Sequence, residues 1–188
     1  MSAIAFSNLA MGIHTILFPW LIVGVLELSP SRLGLAQMAI LLPNLLFILP
    51  GGVVSDGRHR GSWLSVLYAL YIAPVGLLAV ALMTEQLSFV IILLFAMMFG
   101  TLSAFVQPAR ESLLGFADPE LMHQAVAKIV SIQFIAQGVG FLIAGQMDAL
   151  GVVVLLVIQI AMFAASAVWI RRSHPALKIS QTPPSQAR

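Results

Sequence analysis

The stretch "LPGGVVSDGRHRGSWL", Leu49 to Leu64, sets one acid, two arginines and a histidine in a short turn between two apolar runs. The run before the turn covers residues 33–55, and the run after it covers residues 62–83. Each run reaches the roughly 20 residues that a helix needs to cross about 30 Å of hydrocarbon. Charge confined to a turn between two such runs is typical of paired transmembrane helices. The stretch therefore predicts an all-α membrane protein.

The composition of the whole chain favours the same fold class. Of the 188 residues, 60% are hydrophobic and 9% are charged, and the mean hydropathy is +1.02. A soluble domain carries about 25% charged residues, so this chain could not cover a water-facing surface. Backbone amides in lipid must be satisfied internally, and the alternating strands of a membrane barrel are not seen. We predict transmembrane helices at residues 3–27, 33–55, 62–83, 88–109, 124–147 and 150–170.

These six helices form one predicted bundle over residues 1–170, followed by a polar tail over residues 171–188. The tail, "RRSHPALKISQTPPSQAR", is polar and rich in proline, so we expect it to be a disordered cytoplasmic linker.

The connections between the helices carry recognisable boundary signals. Pro30 and Pro119 each follow a capping side chain, Ser29 and Asp118, and a proline at the first helical position sacrifices no hydrogen bond. The connection "MDALG", residues 147–151, is very short. We therefore expect the fifth and sixth helices to form an antiparallel pair.

The basic residues predict the orientation of the bundle. With a cytoplasmic N-terminus, Arg32 is the only basic residue outside, which satisfies the positive-inside rule. We therefore expect a multi-pass protein of the cell (inner or plasma) membrane with both termini in the cytoplasm. Trp63 and Trp169 would then lie at the inner interface as aromatic anchors. The remaining basic residues all fall on the cytoplasmic side: Arg58, Arg60, Arg110, Lys128, Arg171, Arg172, Lys178 and Arg188.

Several functional classes find no support in the sequence. The net charge is only +2, and no basic patch is interleaved with aromatic residues, which argues against nucleic-acid binding. Cysteine is absent, and His14, His59, His123 and His174 have no metal-ligand spacing. No nucleophile elbow, HExxH helix or phosphate-binding glycine loop occurs. We expect no enzyme activity, no cofactor and no metal, and a lipid bilayer as the surroundings.

The turn between the second and third helices resembles the signature loop of the major facilitator superfamily. That signature reads glycine, three residues, aspartate and then arginines; Gly52, Asp56 and Arg60 match it, whereas Gly57 stands where an arginine is usual. In the family this loop is a latch that holds two six-helix halves together on the cytoplasmic face. The resemblance implies a latch made of these residues: Gly52, Asp56, Arg58, Arg60, Arg110 and Glu111.

A second resemblance covers "FGTLSAFVQPARESLLGFADPELMHQAVAKIVSIQFIAQGVGFLIAGQMDALG", residues 99–151, which is similar to the drug- and siderophore-exporter-like branch of that family. It implies one half, a 3+3 inverted repeat, of a transporter that exports small, mostly hydrophobic molecules by alternating access. The second half would belong to the same longer chain or to a second copy of this one. The alternative is a six-helix membrane interaction or assembly protein without transport activity.

Polar residues within the spans indicate where a cavity would lie, because hydrocarbon penalises them. We predict cavity-lining side chains at His14, Gln37, Asn44, Gln133 and Gln137. Their alternative role is hydrogen bonding between neighbouring helices.

The third and sixth helices are plainer, so we expect them to face lipid while the other four face the centre. For "GVGFLIAG" on the fifth helix we predict close helix packing through Gly138, Gly140, Ala144 and Gly145.

Overall fold

The computed structural model describes the backbone of residues 2–55, 60–114 and 119–179 and the side chains of residues 2–53, 61–110 and 126–172. All regular elements in the described ranges are helices, and no strand occurs among them. The elements are α1 (Ser2–Trp20) with a π-helical turn (Leu21–Val25), α2 (Pro30–Ser55), α3 (Arg60–Leu70), α4 (Ile72–Met83), α5 (Phe89–Leu114), α6 (Pro119–Ala144), α7 (Met147–Leu150) and α8 (Val152–Ile179).

Six helical segments are long and apolar enough to cross a membrane, which confirms the predicted all-α class. The first consists of α1 and its π-helical turn, and the third consists of α3 and α4 together. The six segments are Ser2–Val25, Pro30–Val53, Gly61–Met83, Phe89–Arg110, Val126–Ala144 and Val152–Arg172.

Prolines mark both the starts and the interruptions of these helices. Helices α2 and α6 begin at Pro30 and Pro119, the positions where a missing N–H removes no helical hydrogen bond. The third span is interrupted at Tyr71, just before Pro74, whose ring nitrogen cannot donate to the carbonyl four residues earlier. Pro19 likewise precedes the π-helical turn. Pro19 and Pro74 therefore stand beside departures from regular α-helix that do not end the span.

The helical part of the C-terminal segment is longer than the apolar pattern indicates. Helix α8 continues to Ile179, beyond Arg171, where we predict the polar tail to begin. Hydropathy finds where a span leaves lipid, but a helix can continue into water by propagation at good helix formers such as Ala176, Leu177 and Lys178.

The six spans pack in a defined set of pairs. Helix α1 packs on α6 and α8, and helix α2 packs mainly on α5. Helices α3 and α4 pack on α8 and on α5. The expected packing of the fifth span against the sixth is wrong. Helices α6 and α8 make almost no backbone contact with each other, and both pack on α1 instead. A short connection brings two helix ends together, but the packing along their lengths depends on the other faces available.

Glycines form both of the closest helix crossings. At the α1–α6 crossing, a Cβ atom at Gly12 would overlap the carbonyl oxygen of Gln137, and one at Gly140 would overlap that of Leu9. At the α2–α5 crossing, a Cβ atom at Gly100 would overlap the carbonyl oxygen of Ile40. Small residues let membrane helices approach backbone to backbone, where dispersion replaces the missing hydrophobic drive.

Side-chain hydrogen bonds join the helices at one end of the bundle. We call this end, where α1, α3 and α6 begin and α2, α5 and α8 end, the basic end. Ser65 Oγ donates to the carbonyl oxygen of Ala167 at 2.8 Å, and Ser166 Oγ donates to that of Ala3 at 3.1 Å. These bonds fix α8 against α3 and α1.

Burial is unequal among the spans. Only 11% of the second span and 17% of the fifth lies buried, against 33% to 44% of each of the other four. The exposed surface of α2 carries large apolar side chains such as Leu35, Met38, Leu45 and Leu49. Helices α2 and α6 therefore present most of their surface to whatever surrounds the bundle.

Candidate functional site

A cluster of six rings occupies the middle of the bundle and connects four of the spans. We call it the aromatic cluster: His14, Phe18, Tyr71, Phe95, Phe99 and Phe163. Its members come from α1, α5 and α8, with Tyr71 from the break between α3 and α4. The backbones of α1 and α5 make almost no direct contact, so these rings bridge the gap between them.

His14 is the polar member of the aromatic cluster. Its ring stacks on Phe99 with centroids 4.0 Å apart and an interplanar angle of 25°. Phe18 and Phe95 lie at 5.3 and 5.5 Å from the same ring. The phenylalanines are buried, whereas His14 remains partly exposed. His14 is therefore the member of the aromatic cluster that keeps part of its surface exposed.

Tyr71 joins the aromatic cluster to the Ser103 hydroxyl. Its ring stacks on Phe163 at 4.7 Å and meets Phe99 edge-on at 4.8 Å. Its hydroxyl lies 2.8 Å from Ser103 Oγ, and Ser103 Oγ donates to the Phe99 carbonyl at 3.0 Å. Tyr71 is thus the donor of the shared hydrogen bond, and its hydroxyl is satisfied.

Tyr68 and Arg110 form the part of the site nearest the basic end. We call these two residues the Tyr–Arg pair. Arg110, the last residue of the fourth span, interacts electrostatically with Tyr68 and with Tyr71. Tyr68 is 2% exposed, and Arg110 is half-buried. The Ser7 hydroxyl lies beside the Tyr68 hydroxyl and can accept from it, although the two groups fall just outside strict hydrogen-bond geometry.

Unpaired donors characterise the interior of the bundle. Among the described residues, four buried side-chain atoms have no hydrogen-bond partner: Trp63 Nε1, Tyr68 Oη, Arg110 Nη2 and Gln159 Nε2. The three nitrogens can only donate, and the phenol can both donate and accept. Buried polar groups are normally paired, so each of these atoms calls for an explanation.

The other predicted cavity residues lie on the two least buried spans. Gln37 and Asn44 lie on α2, and Gln133 and Gln137 lie on α6; all four are partly exposed. Within the described ranges none of these amides makes a side-chain hydrogen bond, in contrast to the interhelical bonds of Ser65 and Ser166.

Most of the predicted latch falls outside the described residues. Asp56 and Arg58 are not described, and the side chains of Arg60 and Glu111 are not described either. A Cβ atom at Gly52 would meet nothing within 4 Å, whereas one at Gly51 would lie 2.6 Å from the Ala104 carbonyl oxygen. Arg110, by contrast, directs one guanidinium nitrogen into the bundle.

The predicted packing residues of α6 differ in their surroundings. Gly140 lies in the crossing with α1, and Ala144 is fully buried. A Cβ atom at Gly138 would meet nothing, and one at Gly145 would meet only its own helix, at 3.4 Å from the Leu142 carbonyl oxygen.

Sequence reasoning missed the two tyrosines. Tyr68 and Tyr71 are the only tyrosines in the chain, and they lie three residues apart within one span. Two hydroxyls on one face of a transmembrane helix are a signal that could have found them. No group of three or more potential metal-ligating His, Cys, Asp or Glu side chains occurs in the described part of the chain.

Comparison with known proteins identifies no family: no family model, no curated protein and no solved structure matches this chain. Its function has to be inferred from its helices and side chains.

Proposed function

We propose that this chain is one six-helix half of a secondary transporter of the major facilitator type, which exports small, mostly hydrophobic molecules by alternating access. The observation that carries the proposal is the helix pairing, which keeps its pattern when the first three spans are exchanged with the last three. The protein would lie in the cell (inner or plasma) membrane with its basic end and both termini in the cytoplasm.

The exchange works pair by pair. Contact of α1 with α6 maps onto contact of α5 with α2, and these are the two most extensive contacts. Contact of α1 with α8 maps onto contact of α5 with α3 and α4, and contact of α3 and α4 with α8 maps onto itself. Because each set holds three spans, the second set starts from the opposite side of the membrane. Such inverted repeats characterise transporters that alternate between two openings.

The sequence carries a faint trace of the same exchange. Four pairs of residues stand 89 positions apart on corresponding spans: Pro19 and Pro108, Pro30 and Pro119, Asn44 and Gln133, and Gly51 and Gly140. They include two prolines inside helices, two prolines at helix starts, two carboxamides and two packing glycines. These correspondences support a common three-helix unit.

The exposed surfaces support a cavity between two halves. The partly exposed polar side chains, such as His14, Asn44 and Gln133, would be costly in lipid. A second six-helix half laid against α2 and α6 would enclose them, with the substrate near the midplane. The second half belongs to the same longer chain or to a second copy.

An export assay with matched variants tests the proposal. Cells expressing the full gene product are loaded with a hydrophobic fluorescent dye, and efflux is compared for Gln133→Leu and the control Val130→Leu on the same helix. We expect Gln133→Leu to lower efflux about tenfold, because one polar substrate contact is lost, at an unchanged amount in the membrane. Val130, already exposed and apolar, should tolerate the change. No dye efflux by the wild type above background would favour the assembly protein.

The latch is a separate part of the proposal and depends on the resemblance of the loop sequence. Asp56 would dock on the other half and stabilise the outward-open state by closing the cytoplasmic side. Asp56→Asn should therefore impair efflux without lowering the amount of protein in the membrane, as judged by quantitative blotting. Unchanged efflux in that variant would remove the latch and leave the transport function standing.

A further inference from the structure

The aromatic cluster contains a chain of ring contacts that leads from the interior of the bundle to one partly exposed ring. Phe163 stacks on Tyr71 with ring centroids 4.7 Å apart, and Tyr71 meets Phe99 edge-on at 4.8 Å. Phe99 in turn stacks on His14 at 4.0 Å. The first three rings are 1% to 2% exposed, whereas His14 is partly exposed. The chain of rings therefore ends at His14, where a further planar group would extend it.

His14 belongs to the seam between α1 and α5, which the aromatic cluster bridges. Helix α8 packs on α1, the α3–α4 span packs on α5, and these two supports pack on each other, so they cover one side of the seam. The rings of Phe163 and Tyr71 come from that covered side. Beside His14 on α1, Thr15 and Ile16 are exposed. The ring chain thus runs from the covered side of the seam to the exposed surface of α1.

The ring nitrogens of His14 are available to a ligand. No hydrogen bond joins the His14 side chain to another residue in the described part of the chain, and neither of its nitrogens is among the buried unpaired atoms. A neutral imidazole has one N–H donor and one nitrogen acceptor. His14 differs in this respect from Gln159 Nε2, which is unpaired but fully buried. Unpaired polar groups inside a membrane are costly and mark substrate pathways.

The surroundings of His14 carry no charge from this half. His14 lies near the middle of the first span, about 17 Å from either end at 1.5 Å per residue. The six described spans contain no Asp or Glu, and their basic residues all lie within three positions of a span end: Arg32, Arg110, Lys128, Arg171 and Arg172. A charged ligand at His14 would find no opposite charge here, and an unpaired charge away from water is strongly unfavourable. The spans therefore favour an uncharged ligand.

We propose that the exposed part of the His14 ring binds an uncharged, planar aromatic molecule, which continues the ring chain and hydrogen-bonds to a ring nitrogen of His14. Calling this molecule the substrate rests on the proposed transport function. The binding itself does not, because it is measured without transport.

Three bicyclic aromatic probes of similar size test the class of ligand, because they differ mainly in charge. Carbostyril is uncharged and has an N–H beside a C=O, N-methylquinolinium is a cation, and naphthoate is an anion. Equilibrium dialysis of each probe against the full gene product in nanodiscs measures binding, and empty nanodiscs correct for the partition of the probe into lipid. We expect carbostyril to bind saturably and at least about tenfold more tightly than either ion.

Two substitutions of His14 test its role. His14→Phe keeps a ring for stacking but removes both nitrogens, so it should weaken carbostyril binding about tenfold through the lost hydrogen bond. His14→Leu also removes the ring and should weaken binding roughly fivefold more. The matched control is Ile16→Leu, an exposed apolar residue on the same helix, which should change binding by less than about twofold.

Three results would overturn the proposal. Carbostyril binding that is unchanged in His14→Phe would locate the ligand elsewhere, and an ion that binds as tightly as carbostyril would refute the uncharged class. The absence of saturable carbostyril binding would refute the site. The comparison of probes needs only the wild type, so the proposal stays testable even if a variant fails to fold. Absence of dye efflux with carbostyril binding intact would overturn transport alone, and dye efflux without carbostyril binding would overturn this site alone.

Discussion

Helices α2 and α6 are more exposed than the α3–α4 span and α8, although they are the less apolar of the four. The α3–α4 span and α8 are the more apolar of these four, yet they are well buried against each other and against α1 and α5. Helices α2 and α6 are less apolar, yet they are the most exposed. If lipid alone surrounded the bundle, the more apolar spans should be outside.

In the proposed transporter, α2 and α6 would face something other than lipid over part of their surface. Their partly exposed carboxamides, Asn44 and Gln133, point to water or to protein as the neighbour. The α3–α4 span and α8 form an apolar support held by ring stacking and by serine hydrogen bonds. An exposed, partly polar face supported by a packed apolar one is the arrangement that the transporter proposal requires.

The largest effect on the fold is expected at a glycine crossing. Gly140→Leu would drive a side chain into the Leu9 carbonyl and separate α6 from α1, whereas Gly138→Leu, two residues earlier, enters open space. We expect Gly140→Leu to cost about 3 kcal/mol or more, enough to prevent a folded protein, through overpacking. Gly138→Leu should give normal yield and melting temperature in detergent. Equal loss in both variants would mean that α6 is packed on all sides.

A smaller effect is expected from removing one ring. Phe163, 1% exposed, stacks on Tyr71, so Phe163→Ala should lower the free energy of unfolding by about 3 kcal/mol through the cavity it leaves. Phe134 on α6 is 69% exposed, and Phe134→Ala should change the free energy of unfolding by less than about 1 kcal/mol. Denaturant titration of both purified variants measures the difference. A large loss at Phe134 would show that the chain is packed there in its native assembly.

Cysteine labelling should affect the fold least. It compares the surroundings of α2 with those of α8 most directly. The chain has no cysteine, so Asn44→Cys and Val157→Cys each introduce a single thiol. A water-soluble maleimide needs the thiolate, which does not form in hydrocarbon. We expect Asn44→Cys on α2 to react at least about tenfold faster than Val157→Cys on the exposed apolar surface of α8. Similar slow rates at both sites would place α2 in lipid and remove the aqueous cavity.

Much of the secondary structure could be predicted because it depends on local properties. Apolar runs long enough to cross a bilayer indicate the spans, and Pro30 and Pro119 mark where two helices begin. The pairing of the fifth and sixth spans was predicted wrongly, because a short connection limits the distance between two helix ends and not the faces that pack. The end of α8 differed because helix propagation continues past the apolar run.

The candidate site was predictable only in part. His14 stands out as a polar residue in a hydrophobic run, and the structure adds the rings around it. Tyr68 and Arg110 lie 42 positions apart, and nothing in their local sequence indicates that each has a buried polar atom without a partner. Arg110 fits a latch by its sequence neighbours, while the structure directs one of its nitrogens inward.

The sequence by itself determined that this protein is all-helical with six segments long and apolar enough to span a membrane, because continuous apolar runs of this length satisfy their backbone hydrogen bonds within a helix. Only the tertiary structure decided which helices pack together, since that depends on the fit of small residues such as Gly12 and Gly140 against a distant backbone. It also decided which polar atoms are buried without a partner, such as Trp63 Nε1 and Gln159 Nε2, because packing and not the neighbours in sequence sets the surroundings of a side chain.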